Sequence, residues 1–365
     1  MTSSRNWESG NSLSDLGMEL SKQSDALPTR MHREAAESAA TARRINSENR
    51  TLFREVGARL RERDPKLVMT NARGSSDHAG VFGKYLISTR LGLPVASGAP
   101  SVSSVYGAPM RLEQAIGLSI SQSGRSPDIV RAGAAMREAG AFCLALVNEA
   151  GSPLGDTADI TVPLLAGAET SVAATKSYIA SLINLLWITA EWRQDDILIA
   201  ALERLPDQLE DAWALDWTTP LAPLAFAENL FVVGRGVGLG VTNEAALKFK
   251  ETCQIHAEAF SAAECSHGPL ALLGPEFPVL IFSQSDDTRA SVSALVERLS
   301  GMDVPVYLAG GEQEGTVALP TLDAHPMVQP VLMIQSFYRA VADIAISRGR
   351  NPDEPPALKK VTETV

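Results

Sequence analysis

The stretch Ile120-Ser121-Gln122-Ser123-Gly124-Arg125-Ser126, followed by Pro127-Asp128, decides how this chain is read. Upstream, Ile116-Gly117-Leu118-Ser119-Ile120 is an apolar run that reads as a buried parallel strand. Downstream, Pro127 and Asp128 suit the first turn of a helix, which residues 129–136 continue. Between them lie four side chains able to donate hydrogen bonds, Ser121, Gln122, Ser123 and Ser126, and Gly124, which lets a ligand approach the backbone. Free N–H groups and the positive end of a helix dipole point into such a turn, so it suits a phosphate dianion. An ordinary polar strand-to-helix loop has the same composition, so the rest of the chain must decide.

Working outward, an α/β rhythm surrounds the loop. Strands are expected at 67–70, 94–96, 142–147 and 160–162, and helices at 77–91, 127–139 and 178–192, with 71–76 and 101–105 as connections. Alternation of this kind predicts a parallel sheet covered on both faces. Residues 31–63 read as one helical run, with Leu52, Phe53, Val56 and Leu60 at helical spacing. Residues 193–220, helical and charged, read as an interdomain connection. The plan then recurs: a strand at 230–233, a loop at 234–236, a helix at 242–252 and a strand at 278–282. Ser-Gln-Ser follows a strand twice, at 121–123 and 283–285, and Arg-Gly precedes it twice, at 73 and 235, with the same 48-residue separation. The chain therefore reads as a duplicated α/β domain, with a flexible extension at 1–28, domains at 29–205 and 206–348, and a tail at 349–365. The copies differ where it matters. The first continues Gly124-Arg125-Ser126; the second continues Asp286-Asp287-Thr288, whose carboxylates would repel phosphate.

Composition narrows the function. A net charge of -11 over 365 residues argues against a nucleic-acid-binding face. Cys143, Cys253 and Cys265 are scattered, which fits a reducing, cytoplasmic setting and gives no zinc site. The N-terminus lacks the apolar core of a signal peptide, and the most apolar helix, 178–192, carries Asn184 and Glu191 and is too short to span a membrane. Residues 243–273 are dense in titratable groups: Glu244, Lys248, Lys250, Glu251, His256, Glu258, Glu264 and His267. Lys248 and Glu251 share a helix face, the spacing of a plain surface ion pair. His267-Gly268-Pro269 puts an imidazole suited to acid/base work on a rigid turn, whereas His256, between Ile255 and Ala257, reads as a packed structural histidine. In the tail, Leu358 and Val361 offer apolar anchors, and a desolvated lysine there would be a nucleophilic amine.

Together these residues make the chain resemble the sugar isomerase (SIS) family, in particular the isomerase domain of glucosamine-6-phosphate synthase and stand-alone SIS-type glucosamine-6-phosphate deaminases. The resemblance covers about residues 30–365 and rests on Arg73-Gly74-Ser75-Ser76, on Ser121-Gln122-Ser123-Gly124 with Ser126, on residues 169–176, on Glu244 through His267-Gly268-Pro269-Leu270, and on the tail from Pro355. It implies two tandem SIS domains, each a three-layer α/β/α sheet of flavodoxin-like topology. It implies further that Ser75, Ser76, Ser121, Gln122, Ser123 and Ser126 hold the phosphosugar and that Val172 touches the sugar. Glu251 matches the base that moves a proton between C1 and C2, and Lys248 its neighbour. His267 matches the residue that opens the sugar ring from the partner subunit, which implies a homodimer. Lys360 matches a tail lysine that forms a Schiff base with the ketose. Arg125 and Ser126 stand where the family often has an acidic residue and Thr, and Arg125 is expected to add positive charge beside the phosphate; Ala174 replaces a usual Ser, and Val361 a small hydroxyl residue. The chain starts Met1-Thr2-Ser3-Ser4 with no cysteine before Cys143, so no glutamine-hydrolysing nucleophile is expected. The expected reaction is thus deamination of glucosamine 6-phosphate to fructose 6-phosphate, without metal or organic cofactor. The alternatives are a fructosamine-6-phosphate deglycase, a galactosamine-6-phosphate deaminase, and a non-catalytic phosphosugar sensor. Gly234-Arg235-Gly236-Val237-Gly238 does not match the dinucleotide fingerprint.

Overall fold

Alanine-rich and apolar-periodic sequence opens the ordered chain as helices. The computed structural model describes residues 28–360; the expected flexible extension therefore falls, but for Pro28, outside the described residues. The run expected as one helix is three: α1 (Arg30–Ala36), α2 (Ser38–Glu48) and α3 (Arg50–Arg63). Tertiary hydrogen bonds hold the second break, since buried Asn49 donates to the Pro163 carbonyl (2.7 Å) and to Asn184 (3.2 Å). The chain continues through β1 (Leu67–Asn71), α4 (Ser75–Leu91), β2 (Val95–Ser97), β3 (Ala115–Ser121), α5 (Pro127–Glu138), β4 (Phe142–Val147), β5 (Ile160–Pro163), α6 (Lys176–Arg193) and α7 (Asp196–Ala214). The second half comprises β6 (Asn229–Gly234), α8 (Leu239–Lys248), β7 (His256–Ser261), β8 (Val279–Phe282), α9 (Arg289–Ser300), β9 (Val306–Ala309), β10 (Thr316–Leu319) and α10 (Gln329–Ser347). Residues 101–105, expected as a connection, lie largely in a short helix, Pro100–Ser104.

Both sheets are parallel. The first runs β2-β1-β3-β4-β5 and the second β7-β6-β8-β9-β10, so the two halves share one strand order. Each order reverses beside its first strand, and in open α/β sheets ligands sit outside the carboxyl ends of the strands at that point. The loop after β3 lies there, next to the loop after β1. Every residue of β3 is buried, as expected of a central parallel strand.

The strands β7, β9 and β10 and the helices α9 and α10 go beyond the sequence expectations. The strand β7 alternates exposed His256 and Glu258 with buried Ala257, and β9 and β10 are only four residues long. Packing also corrects the reading of residues 193–220 as a connection. Helix α7 turns Leu198, Leu202, Leu205 and Leu209 into the main core, where α6 and α10 are buried along nearly their whole length. Among the described residues no helix is long and apolar enough to cross a membrane.

The halves meet where α4 crosses α8 at Gly240. A Cβ there would lie 2.6 Å from Phe82 Cβ and 2.8 Å from the Phe82 backbone nitrogen. Gly240→Val should therefore cost about 1–3 kcal/mol through overpacking, read as a lower denaturant midpoint. Gly301→Ala, where the nearest neighbour would be at 3.6 Å, should stay within about 0.5 kcal/mol of the parent.

Candidate active site

Three elements from both halves build one polar cluster. Gly74, with φ +54°, ends the loop after β1, and α4 begins at Ser75. Ser75 Oγ donates to Glu244 Oε1 (3.1 Å) and accepts from Lys248 Nζ (3.1 Å). Lys248 Nζ also lies 3.0 Å from Glu244 Oε1 and 2.6 Å from Glu251 Oε2. The Tyr338 hydroxyl, from α10, donates to Glu244 Oε1 (3.1 Å), and His78 Nδ1 sits 3.1 Å from Glu244 Oε2. Residues 244, 248 and 251 face one way because they are four and three apart. The helix expected over 242–252 begins earlier, at Leu239, and gives way at Phe249 to a π-helical turn, Phe249–Cys253, closed by Gln254 in the left-handed region. Such turns recur at functional sites. Here the turn carries Glu251, whose side chain is 20% exposed while those of Glu244 and Lys248 are fully buried.

Charge distribution sorts the roles. Burial alone would raise the Glu244 pKa; the Lys248 ammonium and the His78 hydrogen bond overcome it and hold the carboxyl below its ordinary range. Burial would lower the Lys248 pKa, but Glu244 and then Glu251 hold it above the ordinary lysine value. Lys248 is thus a fixed positive charge and an orienting donor, while Glu251 is the carboxylate of the cluster with access to solvent. Burial, and then the Glu244 charge, push the phenols of Tyr178 and Tyr338 up.

The loop after β3 is shaped by its own hydroxyls. Ser121 Oγ accepts the Gly124 N–H (3.0 Å) and Ser123 Oγ accepts the Arg125 N–H (3.3 Å). Gly124 has φ +62°, and a Cβ there would fall 2.1 Å from Ser152 Oγ, so only glycine fits. The side chains of Gln122, Ser126 and Ser76 make no hydrogen bond among the described residues, and Ser126 begins α5 without a capping bond. Arg73 Nε, 3.0 Å from Asp128 Oδ2, ties the loops after β1 and β3 together. Arg125 departs from expectation: it pairs with Glu149 (2.8 Å), which offsets its charge. In the second copy, Gln284 Nε2 donates to the Arg235 carbonyl (2.8 Å), Asp286 (2.9 Å) and Thr288 (2.9 Å), so that loop is closed by its own side chains.

The remaining candidates lie around this centre. Lys360 Nζ is 3.0 Å from Glu169 Oε2. The Val172 N–H donates to the Asp353 carbonyl (3.4 Å). His267 is exposed, and among the described residues its ring forms no hydrogen bond and does not join the cluster. His256, expected to be packed, is exposed at the start of β7 with Nδ1 3.2 Å from Asn229 Oδ1. The roles of Glu244, His78 and Tyr338 were missed from sequence. Two of them left a signal: His78 stands three residues after Ser75 on one helix face, and Glu244 four residues before Lys248.

Glu169 and Glu244 both keep carboxyl pKa values below ordinary, Glu169 because Lys360 and the Ser177 hydroxyl outweigh its burial. The folded chain then binds fewer acid protons than the unfolded one. Their contribution to stability is complete above the ordinary glutamate value of 4.5 and is lost as pH falls through the lower folded values. Urea midpoints should drop steeply below about pH 4.5, and less steeply in Glu244→Gln.

The SIS domain family profile matches residues 63–190 and 224–318. The glutamine–fructose-6-phosphate aminotransferase (isomerizing) of Aeropyrum pernix is 33% identical over 308 residues, covering 79% of this chain and 49% of its own length. Its Symbiobacterium thermophilum namesake is 32% identical over 326 residues, covering 84% and 53%. The chain spans about half the length of these curated relatives. A solved protein of Silicibacter pomeroyi DSS-3, which carries a provisional phosphosugar isomerase name, is 42% identical with a TM-score of 0.86, covering 89% of this chain and 100% of that one. Glucosamine-6-phosphate deaminase of Thermotoga maritima shares the fold, with a TM-score of 0.74 at 20% identity, covering 92% and 100%. With two parallel sheets of one strand order and a profile match in both halves, the chain belongs to the SIS domain family.

Proposed function

We propose that this chain catalyses deaminating isomerisation: glucosamine 6-phosphate and water give fructose 6-phosphate and ammonia. The observation that carries the reading is the contact series Glu251–Lys248–Ser75, which links the solvent-reachable carboxylate of the second half to the end of the loop after β1 in the first. The phosphate docks on Ser76, Ser121, Gln122, Ser123 and Ser126, with Val172 against the sugar. Glu251 takes the proton from C2 of the open-chain aldehyde and returns it at C1. The C2 amine thereby becomes an imine, which adds water and expels ammonia. Lys248 orients Glu251 and places positive charge beside the developing enediol-like oxygen. His267 assists ring opening from a second subunit of a homodimer, and Lys360 engages the ketose.

Burial pushes Cys143 and Cys265 up to about 11 and Cys253 to about 12, so none of the three is a ready nucleophile for glutamine. The three free cysteines also suit a cytoplasmic setting.

An ammonia-coupled assay over amino sugar phosphates tests the reading. Glucosamine 6-phosphate should be the best substrate, and Glu251→Gln should lower kcat by about 100-fold or more. Undiminished turnover in that variant removes Glu251 from the mechanism. Preference for fructosamine or galactosamine 6-phosphate reassigns the substrate, and binding without turnover points to a sensor.

A further inference from the structure

Glu169 opens the polar stretch 169–176, in which the proposed chemistry uses only Val172. Its carboxylate is fully buried. Oε1 accepts the N–H groups of Thr175 (3.0 Å) and Ser177 (3.1 Å), while Oε2 accepts the Ser177 hydroxyl (2.6 Å) and Lys360 Nζ (3.0 Å). Thr175 makes no side-chain cap, so an acid six residues upstream caps α6. Moving that carboxylate would orphan buried N–H groups of α6, so the place of Lys360 is set by one of the most deeply buried helices in the chain.

The same tail is pinned a second time. Asp353 accepts the backbone N–H groups of Arg30 and Met31 (2.8 Å each), and its carbonyl accepts the Val172 N–H. Glu34, from α1, holds the loop from behind by accepting from Thr170 and Ser171. Between the two pins Leu358, expected from sequence as an apolar anchor, is 44% exposed; the other expected anchor, Val361, lies outside the described residues. The charge of Glu169 also acts on the Tyr338 phenol, whose hydroxyl bonds Glu244.

We propose that Glu169 is a positioning residue that fixes the tail amine of Lys360 at the edge of the sugar site, and that losing either member of the pair frees the tail. What Lys360 then does to the sugar rests on the proposed function; the latch itself needs no substrate.

Hydrogen exchange read by mass spectrometry on the full, ligand-free chain tests the latch. Glu169→Gln keeps an acceptor oxygen for α6 but drops the charge, and Lys360→Met removes the other member without touching the core. Each should speed exchange in residues 351–360 about fivefold or more, with the double variant no faster than either single one. In the ammonia assay Glu169→Gln should lower kcat about tenfold while KM stays within about threefold, because the phosphate loops are untouched. Tail exchange at the parent rate in Lys360→Met overturns the latch whatever the activity. A freed tail with unchanged kcat overturns the positioning role. A parent protein that releases no ammonia sinks the proposed reaction while the exchange data still decide the latch.

Discussion

The buried pair between Glu244 and Lys248 is the constraint on which the site depends. Two charges without solvent are tolerated only when each is compensated, and here Ser75, His78, Tyr338 and Glu251 complete the shell. Removing one member of such a pair typically costs about 3–5 kcal/mol, because the survivor is left uncompensated. The pair also does geometric work. Its partners come from α4, α8 and α10, so the two halves cannot shift against each other without disrupting it. The loop after β1 on one half and the Glu251 carboxylate on the other are thereby kept in register.

Duplication supplied two copies of one scaffold, and side chains then divided the labour. The loop after β3 leaves Gln122 and Ser126 without partners among the described residues, whereas the loop after β8 spends Gln284 on Arg235, Asp286 and Thr288. Ser285 is likewise committed, its N–H and hydroxyl both donating to Gln329. One copy leaves these polar side chains uncommitted and the other ties them up at the equivalent place.

Much of this was legible in the sequence. The aliphatic runs of β3 and β4, the Pro at the start of α5 and the repeated Ser-Gln-Ser are local signals, and local physics determines them. The unread parts have non-local causes. Breaks in the first helical run depend on Asn49 reaching Pro163 and Asn184, more than a hundred residues away. The polar edge strand β7 is formed by pairing with β6, which its own composition does not announce. The π turn at Glu251 keeps an α-like sequence pattern while changing the hydrogen bonding. Tyr338 lies in a largely buried helix whose other polar residues, such as Gln335 and Ser336, bond elsewhere, so nothing local marks Tyr338 as the partner of Glu244.

The outer margin of β7 has a consequence for assembly. Its free backbone edge is flanked by the outward side chains of His256 and Glu258, and polar or charged groups in such places discourage a neighbouring molecule from adding a strand. At this margin the sheet is a boundary and not a template. A second subunit approaching from that side would have to engage through protruding loops and side chains, such as the turn that bears His267, leaving each sheet complete within its own chain.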